Sequence, residues 1–223
     1  MAGEYRIGIV DPDSEIRTGR KLLLEVTGRV NVMLEMTSAA EILDKFSDYL
    51  IDVLIVDQRL RGTSGIQLVQ KLSAIKLAEG IDTRLLLTAP FQTDRLEYEA
   101  LSAGASALVS QEAGSRALID TVLSLGAKRR QYSIETMKQL LNNLEATVKA
   151  DHVLEAQLAN LEVRDAAIVE AVVSGQTISE VAGAFDVASY RVRKLIESVL
   201  TVLGLCTLEQ LQLRYLNAGM AVR

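Results

Sequence analysis

Ile51-Asp-Val-Leu-Ile-Val-Asp57-Gln-Arg-Leu-Arg-Gly-Thr-Ser-Gly65 places a carboxylate where an unbroken apolar run gives out. Val53 to Val56 has no polar alternation, which is the pattern of a parallel strand covered on both faces. In open α/β sheets ligands collect at the carboxyl ends of such strands. Asp57 is therefore either a site residue or a cap for the loop that follows it.

Outward from this stretch the same pattern repeats. Tyr5-Arg-Ile-Gly-Ile-Val10 is a second apolar strand and runs into Asp11-Pro12-Asp13. Three carboxylates from two neighbouring strand ends need a cation, and a hard ion with oxygen ligands such as Mg2+ is the usual answer. Arg84-Leu-Leu-Leu-Thr88-Ala-Pro90 is a third strand and brings the Thr88 hydroxyl to the same edge. Ser106-Ala-Leu-Val-Ser110 is a fourth, preceded by Ser102-Ala-Gly104-Ala.

In the order of these features the chain resembles the receiver domain of two-component response regulators, over roughly residues 4 to 125. The resemblance implies a five-stranded, doubly wound, flavodoxin-like α/β fold, with Asp57 as the phosphorylated aspartate. It makes Thr88 the hydroxyl that moves toward the phosphoryl group and Asp11 the first of an acidic pair, so Asp11 and Asp57 become the expected Mg2+ ligands. The departures carry as much information. Pro12 stands where the family has its second acid and offers no side-chain oxygen, with Asp13 one residue out of step as a substitute. The family's phosphate-pairing Lys is Gln111 here, and its aromatic switch residue is Leu108. Phosphoryl transfer depends on positioning and charge neutralisation, so these losses predict weakened or absent control by phosphorylation. Arg59 and Arg61 can supply charge beside Asp57, although a solvated loop is the preferred reading for both.

A chain of 223 residues is long for one domain, and strand and helix stop alternating near residue 125, which divides it in two. Residues 1–125 carry 13 basic and 18 acidic side chains (net −5), 126–150 carry 5 and 2 (net +3), and 151–223 carry 6 and 9 (net −3). The positive excess sits in the middle segment and not at the C-terminal end, which counts against strong nonspecific nucleic-acid affinity. A single Cys, a single His and no Trp leave no zinc spacing and no His-dependent hydrolase. With no nucleotide loop and no nucleophile–base pair either, an enzyme is not expected. One Cys and no charged-then-apolar leader predict a cytoplasmic protein, and no apolar run has the length to cross a bilayer.

Between Lys128 and Leu161 there is neither Pro nor Gly, and Ile134, Met137, Leu141, Leu144 and Val148 alternate spacings of three and four. That is an a/d seam of about two heptads, ended by Asp151 and resumed out of phase by Leu154, Leu158 and Leu161. It predicts a long helical linker over residues 126–159 that pairs two subunits, with a helix lying on its own receiver as the other reading.

From residue 160 to 223 the pattern is four short helices. Thr177-Ile-Ser-Glu180 is a capping box, and after a turn at Asp186-Val-Ala-Ser189 an amphipathic helix begins. Val192, Leu195 or Ile196, Val199 and Leu203 face inward while Arg191, Arg193 and Lys194 face out, and Gly204 caps the end. A short helix, a turn and a second helix with basic first turns is how a helix-turn-helix meets the major groove. Here the chain resembles the LuxR-type, NarL-like helix-turn-helix domain, through Leu161-Glu-Val-Arg164-Asp165, Val173-Ser-Gly175, Glu180-Val-Ala182, Val192-Arg193 and Leu203-Gly204-Leu205. The resemblance puts Ser189, Tyr190, Arg191, Arg193 and Lys194 at the DNA, with Arg193 in the place of a family Lys and Arg191 in that of a Thr. Leu195, Val202 and Thr207-Leu208 replace a family His, a Lys and an Asn-Arg pair.

The whole then reads as a DNA-binding transcriptional regulator of the response-regulator type, a homodimer on double-stranded DNA with a sensor kinase as a further partner. Two alternatives stay open. One is an interaction protein that uses its receiver to dock a protein or small ligand; the other is ordinary phosphorelay signalling through Asp57.

Overall fold

The computed structural model describes residues 5–129, 131–144 and 151–218, and they fall into two compact units divided between Gln131 and Tyr132. In the first, β1 (Tyr5–Val10), β2 (Val30–Met36), β3 (Val53–Asp57), β4 (Arg84–Ala89) and β5 (Ala107–Ser110) form one parallel sheet in the order β2-β1-β3-β4-β5. α1 (Ser14–Glu25), α2 (Ala39–Lys45), α3 (Gly65–Glu79), α4 (Asp94–Ala103) and α5 (Gly114–Gly126) alternate with the strands, giving the doubly wound fold expected. All five residues of β3 are buried, and each of its apolar side chains stabilises the fold by about 1.5 to 3 kcal/mol relative to exposure. β2 was not placed by the apolar-run argument because it lies at an edge. Its burial alternates, with Met33 and Glu35 exposed, so it lacks the unbroken apolar run of a central strand.

Register sets the site. Val10 lies beside Val56, so Asp11 leaves its strand level with Asp57, and Asp57 lies beside Thr88.

The second unit holds α6 (Ile134–Asn143), α7 (His152–Ala159), α8 (Val163–Val173), α9 (Ile178–Ala184), α10 (Ser189–Leu203) and α11 (Leu208–Asn217). Leu154, Ile168, Val172, Val181, Val192 and Leu211 are fully buried in one core. The expected capping box is present: Thr177 Oγ1 accepts from the Glu180 amide at 3.2 Å, and Glu180 accepts from the Thr177 amide at 2.7 Å. Gly204 ends α10 at φ +68°, a left-handed conformation that disfavours any residue with a Cβ.

The linker differs from its expectation. α7 contributes Leu154 to the core of the second unit and α6 packs against α11 within that unit, so both belong to the C-terminal unit, which begins at Tyr132 and not at residue 160. A continuous helix through Asp151 is excluded, because Asp151 has non-helical dihedrals (φ −112°, ψ 82°) and caps α7 by accepting from the Leu154 amide at 2.9 Å. No single helix among the described residues is long and apolar enough to cross a membrane.

Candidate functional site

Asp11 and Asp57 come together at the carboxyl edge of the sheet, each only 1% exposed. Two carboxylates at this depth require a partner, and it comes from α1. Arg20, 7% exposed, donates from Nη1 to Asp11 Oδ2 at 2.5 Å and from Nη2 to Asp57 Oδ2 at 3.1 Å. The other oxygen of Asp57 accepts from the Arg59 amide at 2.9 Å and from Arg59 Nε at 3.3 Å. Thr88 Oγ1 lies 3.4 Å from Asp57 Oδ2 and equally far from the Val56 carbonyl. For Asp11, burial outweighs the bond from the Asp13 amide and the Arg20 charge, and holds its carboxyl above the ordinary value.

Arg20 was missed by sequence reasoning, yet a signal existed. Ile16, Arg20 and Leu23 or Leu24 recur at helical spacing, so an arginine occupies the apolar stripe of α1. Arg59 and Arg61 are both exposed, as the solvated-loop reading expects, but Arg59 also reaches Asp57 through its amide and Nε.

The donor set does not fit a divalent cation. Arg20 occupies one oxygen of each of the two carboxylates expected to bind Mg2+, and Pro12 supplies none. Asp13 does not substitute, because its side chain is exposed and caps α1, accepting from the Glu15 and Ile16 amides at 2.9 and 3.2 Å. Among the described residues no group of three or more His, Cys, Asp or Glu is arranged to hold a metal. Gln111, in the Lys position, is exposed just beyond β5, and Leu108 is buried in the receiver core.

In the C-terminal unit α9, the turn at Asp186 and α10 form the expected helix-turn-helix. Val192, Ile196, Val199 and Leu203 are buried, while Tyr190, Arg191, Arg193 and Lys194 are exposed and Ser189 is half-buried at the start of α10. Arg191 pairs with Asp165 of α8 at 3.4 Å. Lys194 Nζ lies 5.9 Å from the centre of the Tyr190 ring. Arg193 has no ion-pair partner among the described residues.

Of the expected dimer seam, Met137 and Leu141 are buried and Leu144 is half-buried, and α6 packs against α11. Val148 and the side chain of Ile134 lie outside the described residues.

Residues 7–123 match the family model described as the response regulator receiver domain. Over the whole chain there is similarity to a transcriptional regulatory protein NarL of Mycobacterium tuberculosis, 24% identical over 201 residues, covering 90% of this chain and 88% of that protein. The DNA-binding transcriptional activator DevR/DosR of the same species is 24% identical over 200 residues, with the same coverage of 90% and 88%. Among solved structures, the RcsB response regulator in complex with DNA shares the fold at TM-score 0.53 and 15% identity, over 97% of this chain and 99% of that one.

Proposed function

The chain belongs to the response regulator receiver domain family, and on that premise we propose that it is a DNA-binding transcriptional regulator whose receiver works without Mg2+-dependent phosphorylation. The observation that carries the DNA reading is the row Arg191, Arg193 and Lys194, exposed on the first turns of α10 directly after the α9 turn. Guanidinium groups on a recognition helix pair with guanine edges, and each good bidentate contact contributes about 1 to 3 kcal/mol of discrimination. The relatives whose names describe transcriptional regulation extend over both units of the chain.

Arg20 carries the second half of the reading. A receiver that loads Asp57 with phosphate uses a metal to neutralise the incoming charge. Here a fixed guanidinium balances Asp57 before any phosphodonor arrives, and Gln111 offers no charge to a phosphoryl group.

The test is capture of genomic DNA fragments by the purified, unmodified protein beside the triple variant Arg191→Ala, Arg193→Ala, Lys194→Ala. Specific fragments held by the wild type and lost by the variant support the reading. The salt dependence of binding should also flatten by about one unit of slope per phosphate contact removed. Binding that survives both high salt and the triple variant would instead favour an apolar protein interface.

A further inference from the structure

The acid pocket opens on one side into a cavity of about 340 Å³ between α1 and α5. Its wall is mixed: Arg20, Thr88, Ser110, Gln111 and Ser115 supply polar groups, and Ile16, Leu23, Val109 and Leu118 supply apolar ones. The volume lies at the lower end of the range of about 300 to 1,000 Å³ in which proteins hold small organic ligands.

Every polar side chain in the wall can donate a hydrogen bond. Arg20 spends two of its guanidinium N–H groups on Asp11 and Asp57, and a guanidinium has others to give. Ser110 lines the cavity, is only 6% exposed, and brings a hydroxyl that can donate or accept. Charge also permits an anion. Asp11 and Asp57 face Arg20 and Arg59, so the cluster is neutral overall and does not repel one further negative charge.

Gly19 supplies an independent sign that the space is kept open. It lies inside α1, where glycine is a poor helix former, and a Cβ built on it would meet no atom within 4 Å. Packing therefore does not require glycine at this position, but Gly19 forms part of the cavity wall.

We infer that this cavity binds a small amphipathic organic acid, with its carboxylate on Arg20 and Ser110 and its hydrocarbon body between Ile16, Leu23 and Leu118. The inference rests on the reading of a receiver that does not use phosphate: the ligand takes the regulatory place of a phosphoryl group. Its carboxylate shares the Arg20 guanidinium with Asp57, so occupancy is felt at the strand edge that phosphorylation would otherwise control.

The test titrates the full chain with phenylbutanoate, followed by amide NMR, with phenylbutanol and inorganic phosphate as comparison probes. Saturable shifts are expected at Gly19, Ser110, Gln111 and Ser115. The alcohol should bind about tenfold more weakly for want of a charge-assisted bond, and phosphate should not saturate the same amides. Gly19→Leu, which fills the cavity from an exposed helix position, should abolish the shifts, and Ser110→Ala should weaken binding with the fold intact. Absence of saturable shifts, or shifts indifferent to both substitutions, overturns the site. Equal affinity for acid and alcohol overturns the ligand class. DNA capture measured on the same samples separates the two readings: capture without probe binding removes only the ligand site, and probe binding without capture removes only the DNA function.

Discussion

Arg20 Nη2 lies 3.1 Å from Asp57 Oδ2, and both side chains are buried. Removing one member of a buried ion pair leaves an uncompensated charge and costs about 3 to 5 kcal/mol. Arg20→Met should therefore lower the urea midpoint of the receiver strongly at neutral pH. Burial already holds the Asp11 carboxyl above its ordinary value, and loss of the Arg20 charge pushes it further up. The deficit is therefore full above the folded Asp11 pKa and is relieved as pH falls through it. Adding Asp11→Asn should recover part of the loss. A midpoint that does not move would mean that Arg20 contributes nothing net to the pocket.

Phosphorylation should be recoverable by design. Acetyl phosphate with Mg2+ is expected to leave the mass of the wild-type protein unchanged. The triple variant Pro12→Asp, Arg20→Ser, Gln111→Lys restores an acid, vacates the guanidinium position and returns a positive charge near the phosphoryl site, so it should gain one phosphoryl group on Asp57 in a Mg2+-dependent way. Ready modification of the wild type would contradict the role given to Arg20.

How far the sequence foretold this site depends on which physical signal each residue carried. Asp57 and Thr88 were legible because each ends a run too apolar to be anything but a central strand. The helix-turn-helix was legible from the Thr177 capping box and from the division of α10 into an inner Val192 row and an outer Arg191 row. Helical spacing places Arg20 in the apolar stripe of α1, but its partners lie 9 and 37 residues away in sequence, and local periodicity does not name them. The linker misled for a related reason. An apolar stripe such as Met137 and Leu141 states that something must cover it, not whether the cover is a second subunit or, as here, α11 of the same chain.

Gly65 should tolerate no side chain. A Cβ there would come within 2.5 Å of the Asp57 carbonyl oxygen and 2.7 Å of the Gln58 Cα, both backbone atoms. Gly65→Ala must displace the loop that follows Asp57 and is expected to lower stability by about 1 to 3 kcal/mol or more. The measurement is chemical denaturation, with Gly19→Ala, where a Cβ meets open space, as the harmless comparison.

Asp165 should restrain DNA binding. It holds Arg191 at 3.4 Å and places a negative charge beside the surface proposed to meet phosphates. Asp165→Asn frees the guanidinium and removes the repulsion, so affinity for a captured fragment should rise a few-fold at low salt, with the gain shrinking as salt screens it. If the substitution weakens binding instead, Asp165 is positioning Arg191 and not restraining it.

Asp151 gives the C-terminal unit a defined response to acid. It accepts from Arg214 Nε and from Nη2, the latter at 3.0 Å, and so ties the start of α7 to α11. The Arg214 bond is the largest cause that lowers the Asp151 pKa to about 2. Because the folded value lies below an unfolded value of about 3.9, the pair's stabilisation is fully present above that pH and is lost as pH falls toward about 2. Asp151→Asn keeps a competent N-cap for α7 while removing the charge. At neutral pH the variant should therefore be less stable by about 1 to 2 kcal/mol, and the two unfolding curves should converge near pH 2. A gap that persists unchanged into acid would assign the difference to the cap and not to the ion pair.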